Sequence, residues 1–183
     1  MVHAQYGTLF VTDSYLARDL TKEDAQKHLS YDFLAANIFA LCVSMVIGYL
    51  SDKLKISKIL NFTNLILVIS CGIEVYMIYS HDLADAATWL FDLAFVVAQG
   101  FYMVLFMLSM TMLAKMCSSI TRGTMFSFNS IFGSFGVLLI QLYGGYLYSD
   151  KGVKGGPFLI GLISISINMI LTLAASCSGK FKQ

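Results

Sequence analysis

Five stretches of this chain, residues 33–50, 59–79, 89–113, 124–148 and 157–176, are apolar almost throughout and carry only two charged side chains, Glu74 and Asp92. Each runs for 18 to 25 residues, close to the roughly 20 that an α-helix needs to cross a ~30 Å hydrocarbon core. A surface helix of a soluble domain shows a charged face opposite its apolar one, and these stretches show none. The expected fold is all-α: a polytopic transmembrane helical bundle of about five spans. Composition agrees, with 13% charged residues against 57% hydrophobic ones, where soluble domains carry about 25% charged residues.

Other classes are disfavoured. A net charge of +1 gives no reason to expect nucleic acid or an acidic partner, and the expected surroundings are the lipid bilayer. Cys42, Cys71, Cys117 and Cys177 stand singly, without a C-x-x-C pair or a nearby His. They read as small apolar packing residues rather than as disulfides or a zinc site. His3, His28 and His81 fall outside the apolar stretches and read as solvated. The sequence holds no G-x-S-x-G, no H-E-x-x-H, no phosphate loop and no His–carboxylate spacing within the spans. No catalytic residue, metal site or cofactor is therefore expected.

The connections between spans are short, so consecutive helices run antiparallel as neighbours. Loops 51–58 and 114–123 and the tail 177–183 hold seven basic residues, whereas loops 80–88 and 149–156 hold only Lys151 and Lys154. The positive-inside rule then places the C-terminus in the cytoplasm and the N-terminus outside. Arg18, Lys22 and Lys27 run against this assignment. Tyr76, Tyr79, Trp89, Tyr143, Tyr146 and Tyr148 cluster towards the outer boundary it defines, where amphipathic rings settle among headgroups. Asn61-Phe62-Thr63 is a glycosylation sequon, but this topology puts it on the cytoplasmic side and predicts that it stays unmodified.

Residues 1–12 are too short to span and read as the end of a truncated helix. Residues 13–32 form the one long polar stretch, expected to be an outer loop with a helical turn that Thr21-Lys22-Glu23-Asp24 caps. The bundle proper is expected over 33–183.

Two segments carry a family resemblance. Residues 48–58 read GYLSDKLKISK, in which Gly48, Asp52, Lys53 and Lys58 fit the loop signature of the major facilitator superfamily. Lys55 stands where that pattern has its second Gly, and Ile56 and Ser57 where it has basic residues. Further on come Thr121-Arg122-Gly123-Thr124-Met125, Phe128-Asn129-Ser130, Gly144-Gly145-Tyr146-Leu147 and Gly156-Pro157-Phe158. That run resembles the eleventh helix of the superfamily and the loop after it. The fifth helix, its counterpart in an N-terminal half, carries a Gly-Pro pair where this chain has Ile140 and Gln141, so the resemblance is to helices 8–12 with the end of helix 7. It implies an incomplete six-helix half of a fold built from two such halves, with a small solute bound between them and moved by alternating access. Gly48 would permit close helix approach and Asp52 would accept hydrogen bonds from a neighbouring helix N-terminus as a cytoplasmic latch.

Polar residues within the spans are the candidates for a substrate or proton pathway: Asn37, Glu74, Asp92, Gln99, Asn129 and Gln141, with Asn168 weaker. Glu74 and Asp92 lie near the outer ends of their spans, where snorkelling to the interface is the favoured reading. Gly133, Gly136, Gly144 and Gly145 form small-residue stripes that read as helix-packing seams. A complementary half or an oligomeric partner is expected, because five helices do not enclose a central pathway. Two alternatives stay open: a non-transporting membrane subunit or scaffold that reuses half of the fold, and an inactive truncated gene product.

Overall fold

The structure, a computed structural model, describes residues 2–82, 89–118, 120–150 and 153–178, the side chains of residues 2–4, 116, 149 and 150 excepted. Lys151, Lys180, Lys182 and the side chain of His3, all used above, lie outside that description. The described residues form six α-helices and no strand: α1 Val2–Ala17, α2 Lys22–Lys53, α3 Ile56–Ser80, α4 Trp89–Met116, α5 Arg122–Gly145 and α6 Gly156–Cys177. Tyr146–Asp150 prolongs α5 as a π-helical turn. The five helices α2 to α6 are long and apolar enough to cross a membrane, as the apolar stretches predict.

The polar stretch 13–32 folds differently from an open loop. Helix α1 runs on to Ala17 and closes with Asp19 in the left-handed region (φ 58°), a conformation that Asp tolerates better than most residues. The Leu20 N–H then donates back to the Tyr15 carbonyl at 3.1 Å, satisfying one of the helix's last acceptors. Immediately afterwards Thr21 caps α2. Its Oγ1 accepts from the Asp24 N–H at 3.2 Å, and Asp24 Oδ2 accepts from the Thr21 N–H at 3.3 Å, the reciprocal pair expected of this sequence. The polar turns at the start of α2 still obey helical periodicity, since Ala25, Leu29, Asp32, Ala36 and Ala40 are among its buried residues. With 32 residues, α2 is about 48 Å long and must tilt or project beyond the hydrocarbon.

Helices α2, α4, α3 and α6 form the body of the bundle, in that lateral order. Lipid is as apolar as Leu, so close van der Waals fit and internal hydrogen bonds hold such a bundle together. Gly100 shows the fit between α4 and α2: a Cβ there would stand 2.5 Å from the Phe39 ring. Towards the end that carries Lys53, Leu67, Ala98, Phe101 and Leu108 pack in one core. Towards the end that carries Lys154, Phe10, Phe91 and Phe158 bring α1, α4 and α6 together, with ring centroids 5.1–6.1 Å apart.

Helix α5 is the exception. Its apolar side chains, Phe128, Ile131, Phe132 and Phe135 among them, are exposed, and Gly144 is its buried residue. Among the described residues, no neighbour lies within 4 Å of a Cβ built at Gly133 or Gly136. Among the described residues the seam expected at these two glycines is not made, because none of the other described helices reaches that face. Gly144 and Gly145 do meet a neighbour, the Tyr6 hydroxyl of α1.

Candidate functional site

Because α5 stands off from α4 and α6, two clefts of about 390 and 490 Å³ open between the three helices. They share Tyr102 and Asn168 on their walls. Gln99 and Ser164 line the smaller cleft, and Asn129, Ser109 and Thr172 the larger. The rest of the lining is mostly apolar. Gln99 Oε1 is buried and accepts no hydrogen bond among the described residues, which leaves it available to a donor in the cleft. Apolar walls with a few convergent amides and hydroxyls bind a compact, polar, uncharged molecule by shape and hydrogen bonds. Gln99 and Asn129 were legible as candidates. Tyr102 was not, since an aromatic on a span reads equally as packing; its hydroxyl contacts Cys71 Sγ at 3.5 Å.

The other candidates lie elsewhere. Asn37 is exposed and donates to its own helix, at the Phe33 carbonyl (2.8 Å). Gln141 donates to Gln5 Oε1 at 3.1 Å and so ties α5 to α1 outside the clefts. Glu74 is fully buried, which corrects the snorkelling reading: its position on α3 turns it into the bundle rather than along the surface.

Asp92 does not reach outward either. Its Oδ2 lies 3.1 Å from His28 Nε2, which also lies 3.4 Å from Asp32 Oδ2. His28 is therefore not a solvated loop residue, as its polar surroundings implied. It sits on the second turn of α2, half-buried, with the Tyr15 ring centroid 5.2 Å from its own. Spacing along one helix pairs His28 with Asp32, whereas Asp92 comes from α4, beyond what sequence distance reveals.

In the motif loop, α2 ends at Lys53 and α3 begins at Ile56, so the connection is tighter than eight residues. Asp52, Lys53 and Lys58 are exposed. Lys53 donates to the Tyr49 hydroxyl and lies 4.3 Å from that ring's centroid. A Cβ at Gly48 would meet nothing within 4 Å, and Asp52, one turn on, makes no hydrogen bond among the described residues. The close helix approach and the latch contact implied for these two residues are not formed among the described residues.

Between α3 and α6 runs a polar seam. Asn64 donates to Thr172 Oγ1 at 3.1 Å and accepts from Asn168 at 3.2 Å, and Asn61 donates to Ser176 Oγ at 3.2 Å. At the opposite end Lys154 Nζ and the Tyr148 hydroxyl both donate to Asp13 Oδ2, each at 2.7 Å. Tyr148 is thereby turned inward, unlike the exposed Tyr76, Tyr79, Trp89 and Tyr143.

Neither a curated protein nor a solved structure matches the chain. The family model of the Major Facilitator Superfamily matches residues 5–176, nearly the whole sequence, and the chain belongs to that superfamily.

Proposed function

We propose that the chain forms most of the C-terminal half of a secondary transporter and that the clefts between α4, α5 and α6 belong to its solute path. The observation that carries this reading is a neutral polar lining, Gln99, Asn129 and Asn168, set in otherwise apolar walls. The chain is an integral, multi-pass membrane protein of a transporter superfamily. The solute in this reading is small, polar and uncharged, because among the described residues no ionised side chain lines the clefts.

Movement would follow the alternating-access scheme, in which two halves rock about a site between them. The exposed faces at Gly133, Gly136, Gly48 and Asp52 are where helices of a complementary half would pack. Their openness within this chain supports that reading. Glu74, buried in α3, is the proposed proton-coupling carboxylate. Lys53, Lys58, Lys115 and Arg122 would face the cytoplasm, with the N-terminus outside.

The experiment is a screen of neutral polar solutes against the purified chain by thermal shift, followed by counterflow in proteoliposomes. A stabilising solute whose effect is lost in Gln99→Leu and Asn129→Leu supports the reading. A screen with neither stabilisation nor counterflow, with or without an N-terminal half supplied, would sink it. For the coupling role, Glu74→Gln should abolish the pH dependence of uptake, and unchanged dependence removes Glu74 from the mechanism.

A further inference from the structure

We propose that His28, Asp32 and Asp92 form a site for one divalent transition-metal cation, with Zn²⁺ the best match, that clamps α2 to α4. Each residue offers one ligand atom, and the three atoms lie within 4.8 Å of one another. His28 Nε2 is 3.1 Å from Asp92 Oδ2 and 3.4 Å from Asp32 Oδ2. Tetrahedral zinc with bonds of about 2.0–2.1 Å sets its ligand atoms about 3.4 Å apart, so the imidazole and each carboxylate already stand near coordination spacing. One imidazole nitrogen with two carboxylate oxygens is a donor set that zinc accepts, and the fourth position stays open to water.

His28 Nε2 carries at most one hydrogen, yet it faces two carboxylate oxygens, so it serves only one of them at a time. Asp32 is 9% exposed. Its Oδ2 and Asp92 Oδ1 are both buried and accept no hydrogen bond among the described residues. Buried carboxylate oxygens in that condition are costly. A cation in place of the single proton serves all three groups together, with the imidazole as a neutral ligand. The side chain of His28 is 32% exposed, which supplies an entry path. The Tyr15 ring, packed beside the imidazole, holds its orientation, as outer-shell partners of ligating histidines do.

The test uses the full chain in detergent, free of any polyhistidine tag, with Zn²⁺ alone as probe. Wild type should retain one Zn²⁺ per chain after removal of excess, and His28→Gln and Asp92→Asn should each weaken binding at least tenfold. Retention of no zinc, or equal binding by His28→Gln, overturns the proposal; the latter would assign binding to other donors such as the exposed Cys42 and Cys177. A second measurement needs no variant. Zn²⁺ should slow diethylpyrocarbonate modification of His28 at least fivefold while leaving that of the exposed His81 unchanged. Equal rates at His28 with and without Zn²⁺ would mean an ion triad only, and the site would be refuted even if every variant failed to fold.

Discussion

The Tyr6 hydroxyl stands 2.8 Å from where a Cβ on Gly144 would sit, and it donates to the Gln141 carbonyl at 3.0 Å. Tyr6 is 5% exposed, so its ring has little room to retreat. Gly144→Ala gains about 0.5–1 kcal/mol of helix propensity, but it must displace the ring and break the bond to Gln141. Overpacking costs about 1–3 kcal/mol and the lost hydrogen bond about 1 kcal/mol. The expected net is a destabilisation of about 1–3.5 kcal/mol, measured by unfolding in mixed micelles. Gly133→Ala, with nothing within 4 Å, should be neutral or slightly stabilising in the same assay. Equal losses at both positions would contradict the contact.

Asn64 is wholly buried between α3 and α6, bonded to Thr172 and Asn168. Interhelical hydrogen bonds in membrane proteins are worth about 0.6–2 kcal/mol each. Asn64→Ala breaks both and leaves a cavity, so it should cost about 2–4 kcal/mol in unfolding free energy. Thr172→Val removes the hydroxyl at nearly constant shape. A double-mutant cycle between the two positions should show a coupling of about 0.6–2 kcal/mol, and zero coupling would mean that the bond is not made.

What the sequence made legible follows from which free energies are local. Transfer of 18 to 25 apolar residues into lipid depends on composition alone, so the spans could be read directly. The start of α2 could not, because Lys22–Asp32 is polar and is helical through its Thr21–Asp24 cap and its packing on α1. The capping pair itself was readable, being three residues apart. His28 was misread because one of its partners, Asp92, lies 64 residues away. Gly133 and Gly136 have the pattern of a seam, but a pattern does not say whether the other side belongs to the same chain. The clefts were half legible: Gln99 and Asn129 stood out as amides within spans, whereas their shared wall at Tyr102 depends on where α5 leaves the bundle.

Asn61 stands in a sequon, yet its amide nitrogen, the atom a glycan would need, donates to Ser176 on the neighbouring helix at 3.2 Å. Thr63 is wholly buried. Both the packing and the proposed orientation predict no modification. Expression in glycosylation-competent microsomes should give a band that peptide N-glycosidase does not shift. A shift would place this end of α3 in the lumen and reverse the proposed topology.

Asp13 ties α1 to the segment that links α5 and α6, through Lys154 and Tyr148. Burial by itself would raise its carboxyl pKa, but the hydrogen bonds from Lys154 and Tyr148 and the attraction of the ammonium outweigh it and hold the carboxyl below its ordinary value. The folded state therefore binds the Asp13 proton less readily than the unfolded chain does. Its contribution to stability is fully present above the unfolded value of about 3.9 and fades as pH falls through the lower folded value. Melting followed from pH 6 to pH 3 should show wild type losing stability at the acid end. Asp13→Asn should be less stable at pH 6 and lose less on acidification, because it has no proton to take up. Parallel curves for the two proteins would show that the Asp13 carboxylate is not what holds α1 against this segment.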